Sequence, residues 1–190
     1  MSGTITVGDK ILASHDNVSG KLSMSENVDM SNMVFPAGHV IQVVTDLKTV
    51  GNTSNGTDIE SVTITATTFA LGYTTNSLTI TPKYSNSKIL LMFDGMVTTN
   101  NVSGVGFEIF FAKDGNQLLN SGSNKSANMF NYMSGTSTYL YWPSNASYSF
   151  ISGQTTPMTL SIVITKYASA GSVFLQHDGT HHLIAMEIAQ

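Results

Sequence analysis

The sequence of 190 residues contains no cysteine and no arginine, and charged residues make up only 11% of it. Without cysteine, disulfides and thiolate metal sites are excluded, so packing and hydrogen bonds must hold the fold together. The formal net charge is −4, and all cations other than histidine are lysines. Binding a nucleic-acid backbone requires clustered basic residues, so we expect no nucleic-acid partner.

Long hydrophobic runs are also missing. The longest, such as Ile89 to Phe93, are about five residues, whereas a helix needs about 20 to span a bilayer. The first residues lack the basic and apolar regions that form a secretory signal. We therefore expect a soluble protein that is made in the cytoplasm and does not insert into membranes.

The sequence is rich in serine, threonine, asparagine and glycine, set among 41% hydrophobic residues. Its texture changes near Phe35. Residues 1–33 have too few large apolar side chains for a core of their own, and we expect a short extended amino-terminal arm there. Residues 34–190 are long enough for one well-buried domain.

From Val40 onward, short segments of strand-forming residues alternate with turn-forming clusters, and helical periodicity is scarce. The pattern predicts an all-β fold, and a sandwich, a jelly roll or a small barrel would each fit it. Asp94-Gly95 and Asp114-Gly115 are typical of tight turns. The predicted strands are Val40 to Thr45, Glu60 to Phe69, Leu78 to Thr81, Lys88 to Phe93, Val105 to Ala112, Ser137 to Tyr141, Ser147 to Ile151, Met158 to Tyr167, Ser172 to His177 and His182 to Ile188.

Two of these segments are apolar on both faces, Ile89 to Phe93 and Ile162 to Ile164. A sandwich buries only one face of each sheet, so such strands need cover on a second side. A neighbouring copy of the chain is the simplest cover, and a loop or the amino-terminal arm of the same chain is the alternative. We expect the subunit interface at Leu91, Phe93, Ile162 and Ile164.

Residues 1–33 begin with a short alternating stretch, Thr4, Ile5, Thr6 and Val7, followed by Ile11 and Leu12. Alternation of this kind is typical of a strand that orders on a partner's sheet. We interpret these six residues as a partner-docking segment. The alternative is an unstructured tail.

The sequence contains no recognisable arrangement of catalytic residues. There is no Gly-x-Ser-x-Gly elbow, no carboxylate pair that stands out and no phosphate-binding loop. Of the histidines, only His177, His181 and His182 cluster. The last two point to opposite faces of a strand, so they cannot both bind one ion comfortably. We expect no enzymatic activity, no catalytic residue, no metal and no cofactor.

Aromatic residues concentrate in one polar segment. They could form a flat surface for stacking on sugars or contacting a partner, because large rings give contact area at low entropic cost. Core packing can use the same rings equally well. The candidate ligand platform consists of Tyr132, Tyr139, Tyr141 and Trp142.

Several segments, in order, give the chain a specific resemblance. They are Phe35 to Val44, Ser77 to Leu91, Lys113 to Gly115, and Leu183 to Gln190. Together they resemble a domain of tail-fibre and virion appendage proteins in marine and cyanobacterial tailed phages. The resemblance implies an antiparallel β-sandwich of jelly-roll type. A sandwich of this type is loosely similar to the tumour-necrosis-factor and complement-globular domains. Because those domains associate as trimers, the resemblance also implies a homotrimer.

The function that this resemblance implies is structural. The chain would be a homotrimeric appendage of a tailed-phage virion, either a capsid decoration (cement) protein or a small tail fibre. It would be made in the host cytoplasm and docked by residues 1–33 onto capsid or tail proteins. The alternative is a tail-fibre module that binds a host receptor or surface glycan through the aromatic platform.

Overall fold

The computed structural model describes residues 3–7, 10–15, 22–24, 35–49, 62–64, 67–100, 104–118, 129–132, 139–167, 173–175 and 180–190. These ranges contain fourteen strands and the turns next to them. The chain divides into two units, Met1–Phe35 and Pro36–Gln190. Within the described residues, no helix is both long enough and apolar enough to cross a membrane.

The first unit contains three strands, β1 (Gly3–Val7), β2 (Lys10–His15) and β3 (Leu22–Met24). They pair antiparallel in the order β1-β2-β3, with Gly3 opposite His15 and Ala13 opposite Met24. The segment interpreted as a docking arm therefore forms a small sheet of its own. In this sheet β1 is an edge strand.

In the part of the second unit that the structure describes, eleven strands form two antiparallel sheets of a sandwich, which confirms the all-β prediction and is consistent with a jelly roll. A short 3₁₀ helix, Phe69–Leu71, precedes β6. The strands are β4 (Val40–Thr49), β5 (Val62–Ile64), β6 (Tyr73–Ile80), β7 (Lys88–Asn100), β8 (Gly106–Lys113), β9 (Asn116–Gln117), β10 (Met129–Tyr132), β11 (Tyr139–Ile151), β12 (Met158–Tyr167), β13 (Val173–Leu175) and β14 (Thr180–Ile188).

The first sheet of the sandwich has the order β4-β14-β7-β13-β5, and β11 pairs with β7 along its other edge. Met92, for example, lies between Ile184 of β14 and Ser147 of β11. The second sheet has the order β10-β8-β12-β6, with β9 added to β8. The long strand β7 is therefore the centre of the first sheet, and β8 and β12 are the centre of the second.

The core lies between the two sheets and uses every second residue of each central strand, as the two-residue period of a strand requires. Phe107, Ile109 and Phe111 of β8 are fully buried. They belong to one cluster with Leu91 of β7 and Leu183 of β14. Burial of side chains of this size stabilises the fold by roughly 1.5–3 kcal/mol each.

The interface expected at Leu91, Phe93, Ile162 and Ile164 needs correction. All four side chains are buried within a single chain, with 0 to 2% of their surface exposed. They belong to the core between the sheets. The two-sided apolar pattern was read correctly, but these residues occupy the inner face. A surface for a second copy must use the other face.

On the second sheet, part of the outer face is covered by the chain itself. Val163, Phe110 and Ala112 form a small buried cluster outside the main core, and Phe69 packs against it. The rings of Phe69 and Phe110 meet edge to face at 5.6 Å between centroids. The outer face of β12 at Val163 is therefore covered by a segment of the same chain, which was the alternative to cover by a second copy.

The two turn dipeptides have different outcomes. Asp114 and Gly115 connect β8 to β9 with φ of 50° and 76°, the left-handed conformation that a tight turn of this type needs. Asp94-Gly95 lies inside β7. Glycine is required at position 95 because a Cβ there would collide with the ring of Phe93.

Residues 139–141, the described part of the predicted segment Ser137 to Tyr141, and the segment Ser147 to Ile151 belong to one strand, β11 (Tyr139–Ile151). Its polar middle belongs to the ladder, with Ser144 opposite Gly95 and Asn145 opposite Asp94. Pro143 is tolerated because β11 is an edge strand, in which a missing N–H breaks no ladder bond on the outer side.

Candidate functional site

The feature that stands out functionally is the outer face of the first sheet. On β7 and β14 the residues between the core positions point away from the sandwich, and several of them are also apolar. Met92 lies opposite Ile184, and Leu90 lies opposite Met186. Met186 in turn lies opposite Val43 of β4. Three neighbouring strands thus present apolar side chains on the same outer surface.

This surface is only partly covered. On the edge strand β4, Val40 is 50% exposed, Val43 is 52% exposed and Leu47 is 59% exposed. The outward apolar residues Leu90 and Met92 of β7, and Ile184 and Met186 of β14, are half-buried. Soluble monomers rarely expose contiguous apolar patches of this kind unless the patch binds something. We call this surface the outer apolar face; it consists of Val40, Val43, Leu47, Leu90, Met92, Ile184 and Met186.

Charged residues lie at both ends of the outer apolar face. On β7, Lys88 precedes the apolar pair Leu90 and Met92, and Asp94 follows it. Asp94 lies directly opposite His182 of β14. A shallow cavity of about 380 Å³ opens at this end, lined by Met92, Ile184 and the polar side chains of Asp94, Asn145, Ser147 and His182. The face therefore has an apolar centre and polar ends, the distribution found in protein interfaces.

On the inner side of β14, His181 is a buried polar group, which the sequence analysis considered only as one of three clustered histidines. It is 0% exposed, and its ring meets that of Phe93 edge to face at 5.7 Å. Its Nε2 lies 2.9 Å from the carbonyl oxygen of Met96, which can only accept, so Nε2 carries the proton. Among the described residues, Nδ1 has no partner. Burial lowers the pKa of His181 below its usual value, against smaller opposite effects of the Met96 hydrogen bond and Asp94.

A second buried polar group, Glu187, connects distant parts of the chain. It is 0% exposed. Its Oε2 accepts a hydrogen bond of 2.6 Å from Nε2 of Gln42, and its Oε1 accepts from the backbone N–H groups of Lys83 and Tyr84 at 2.8 and 3.2 Å. Glu187 thus ties β14 to β4 and to the turn after β6. Its role is to hold the sheet that carries the outer apolar face.

The two members of the predicted aromatic platform whose side chains the structure describes, Tyr132 and Trp142, lie on different sheets. Trp142 is half-buried and packs against the core, and its Nε1 donates a hydrogen bond of 3.0 Å to Oγ1 of Thr99. Tyr132 is 47% exposed and lies on the other sheet. The side chains of Tyr139 and Tyr141 lie outside the described residues. Trp142 therefore serves packing, and Tyr132 alone of the described candidates faces solvent.

The six residues of the predicted docking segment lie in the first unit. Thr4, Ile5, Thr6 and Val7 belong to β1, and Ile11 and Leu12 belong to β2. Their side chains lie outside the described residues. Because β1 is an edge strand of its sheet, one side of its backbone is unpaired within the described part of that unit.

The histidines do not form a metal site in the described part of one chain, where no group of three His, Cys, Asp or Glu residues converges. His181 points into the core and His182 lies on the outer face, opposite Leu47 of β4. The two side chains thus point to opposite faces of the sheet, as expected for consecutive residues of a strand. His177 lies outside the described residues.

Comparison with known proteins gives only distant similarity. No family model and no curated protein matches the sequence. Among solved structures, a chain of "Structure of infectious bursal disease virus Gt strain" is similar over 99% of this chain and 42% of that one, with a TM-score of 0.39 and 12% identity. A chain of "Structure of infectious bursal disease virus Gx strain" is similar over 81% of this chain and 38% of that one, with a TM-score of 0.34 and 14% identity. The chain thus spans less than half the length of either.

Proposed function

We propose that this chain is a structural protein of a tailed-phage virion, a homotrimeric appendage whose copies associate through the outer apolar face. The observation that carries the proposal is that β7 and β14 of the first sheet carry apolar side chains on both faces, although one sandwich buries only the inner one. The resemblance of residues 34–190 to phage appendage domains supplies the threefold arrangement and the virion setting.

The energetics favour association through this face. Burying the exposed half of a side chain such as Val43 or Leu47 contributes roughly 1 kcal/mol. Several such residues per copy, repeated at three interfaces, can offset the cost of association, which is about 4–15 kcal/mol. Lys88 and Asp94, at the two ends of the outer apolar face on β7, remain at the rim, where water or the neighbouring copy can satisfy them.

The first unit would attach the trimer to the particle. Its edge strand β1 offers backbone donors and acceptors to a partner's sheet, and the alternating side chains Thr4 to Val7 would set the register. Capsid and tail proteins of the virion are the expected partners. In this arrangement the sandwich carries the self-association, and the small sheet carries the docking.

The virion assignment is tested on particles of the phage that carries this chain. Particles are first stripped of the native protein or produced without it. They are then incubated with the full chain or with a variant lacking residues 1–33, and bound protein is detected after sedimentation and by imaging. We expect the full chain to decorate the particles. The truncated protein should remain a folded trimer that does not bind. A truncated protein that still decorates the particles contradicts the docking role, and absence of the native chain from purified virions contradicts the whole proposal.

A further inference from the structure

The outer face of the second sheet carries an arrangement that neither packing nor association explains. Gly106 of β8 lies directly between Tyr132 of β10 and Tyr167 of β12 in one cross-strand row. Because the neighbouring residues Phe107, Ile109 and Phe111 point into the core, this row points outward. It therefore lies on the side of the sandwich opposite the outer apolar face.

Gly106 allows the backbone of β10 to approach β8 closely. A Cβ at this position would collide with the backbone carbonyl oxygen of Asn131, so no other residue fits between β8 and β10. The rings of Tyr132 and Tyr167 lean over the glycine and meet edge to face, with centroids 5.9 Å apart and planes at 85°. Their strands are two ladder spacings apart, about 9.6 Å, so the rings converge towards each other.

A carboxylate lies next to the tyrosines on the same face. Glu108 is two residues along β8 from Gly106, and it is half-buried. Its Oε2 accepts a hydrogen bond of 3.2 Å from Oγ1 of Thr165, which is fully buried. Its Oε1 has no hydrogen-bond partner among the described residues. Thr165 therefore fixes the carboxylate while one oxygen remains available as an acceptor.

We infer that Tyr132, Tyr167 and Glu108 form a binding site for a neutral carbohydrate. Tyr132 is 47% exposed and presents a ring on which the C–H face of a pyranose can stack. Glu108 Oε1 accepts hydrogen bonds from sugar hydroxyl groups, and a few fixed polar groups beside an apolar surface are what orient small ligands.

The geometry distinguishes this ligand from an organic cation. Aromatic cages for quaternary ammonium groups hold the cation over ring faces, with its centre within about 6 Å of each centroid. Here the two rings already contact each other edge to face, so no gap remains between them for a cation. The exposed ring face and the acceptor beside it suit a flat polyhydroxylated ring instead.

The test uses the full chain in saturation-transfer NMR. The probes are the methyl glycosides of glucose, galactose, mannose and N-acetylglucosamine, with choline chloride as the counter-probe. We expect saturation of the ring C–H protons of at least one sugar and none of choline. Tyr132→Ala and Glu108→Gln should each weaken binding of that sugar by about tenfold or more, which corresponds to ~1.4 kcal/mol. Tyr132→Phe should retain binding.

Tyr84→Ala is the matched control, because it removes a half-exposed tyrosine elsewhere and should leave binding unchanged. Circular dichroism of each variant verifies the fold. The inference is overturned if no sugar of the panel binds, if choline binds instead, or if binding survives both Tyr132→Ala and Glu108→Gln. Since the site lies within one chain, a variant that no longer self-associates should still bind the sugar. Sugar binding and self-association can therefore fail separately.

Discussion

At the scale of single residues, His181 connects the chemistry of the core to pH. Its ring is buried beside Phe93, and its Nε2 proton is donated to the Met96 carbonyl oxygen. Desolvation by burial lowers its pKa, with the Met96 hydrogen bond and Asp94 acting in the opposite direction. The folded protein therefore holds this histidine neutral, whereas the unfolded chain takes up a proton near pH 6.5.

The sign of the resulting pH dependence follows from proton uptake. As pH falls through about 6.5, His181 binds a proton in the unfolded chain but remains neutral in the folded protein. The free energy of unfolding therefore decreases by up to about 1.36 kcal/mol per pH unit. Urea unfolding between pH 7.5 and 5.5 measures this loss. We expect His181→Gln to flatten the profile and the exposed His39→Gln to leave it unchanged. Parallel profiles for the wild type and His181→Gln contradict a neutral buried histidine.

At the scale of elements, β7 has two apolar faces with different tasks. Leu91 is 0% exposed in the core, whereas its neighbour Leu90 lies on the outer apolar face opposite Met186. We expect Leu91→Ala to lower the free energy of unfolding by about 2–5 kcal/mol, because it leaves a cavity in the core. Leu90→Ala removes no core packing and should cost less than about 1 kcal/mol in dilute protein. Chemical unfolding of both variants provides the comparison, and equal losses would contradict the assignment of the two faces.

The elements also define what sequence patterns can predict. The strand Met158 to Tyr167 was predicted with the bounds that β12 has, because its apolar run is flanked by Pro157 and a polar segment. The two-sided apolar character of β7 was predicted as well. Which of its faces points inward was not, since the alternation of Ile89 to Phe93 is apolar in both phases and only the packing against β8 and β12 decides between them.

The differences between the predictions from sequence and the structure also have physical reasons. Asp94-Gly95 has the composition of a turn, but β11 pairs along β7 past this point and keeps the strand extended. For Trp142 the sequence left a ligand platform and core packing equally open; its indole packs against the core, and its Nε1 donates a hydrogen bond to Oγ1 of Thr99. The Tyr132–Tyr167 row could not be predicted, because the two residues are 35 positions apart in sequence and meet only through the pairing of β10, β8 and β12.

At the scale of the whole molecule, the sandwich presents two functionally different outer faces. The face formed by β4, β14 and β7 is apolar and suited to other copies of the chain. The face formed by β10, β8 and β12 carries the tyrosine pair and Glu108. In the proposed trimer the first face would be turned towards the threefold axis, and the second would remain accessible. A particle-bound protein of this design can hold its copies together and contact a surface glycan at the same time.

The measurement that tests this account most directly is the solution mass of the full chain by light scattering during size exclusion. We expect a particle of three times the 20.3 kDa chain mass. The double variant Leu90→Glu, Met92→Glu should elute as a folded single chain, because two charges on the outer apolar face cannot be buried without partners. The matched control Thr74→Glu, Thr79→Glu places the same charges at exposed positions of β6, in the second sheet, and should remain a trimer. A wild-type chain that is monodisperse at the mass of one copy would contradict the central claim.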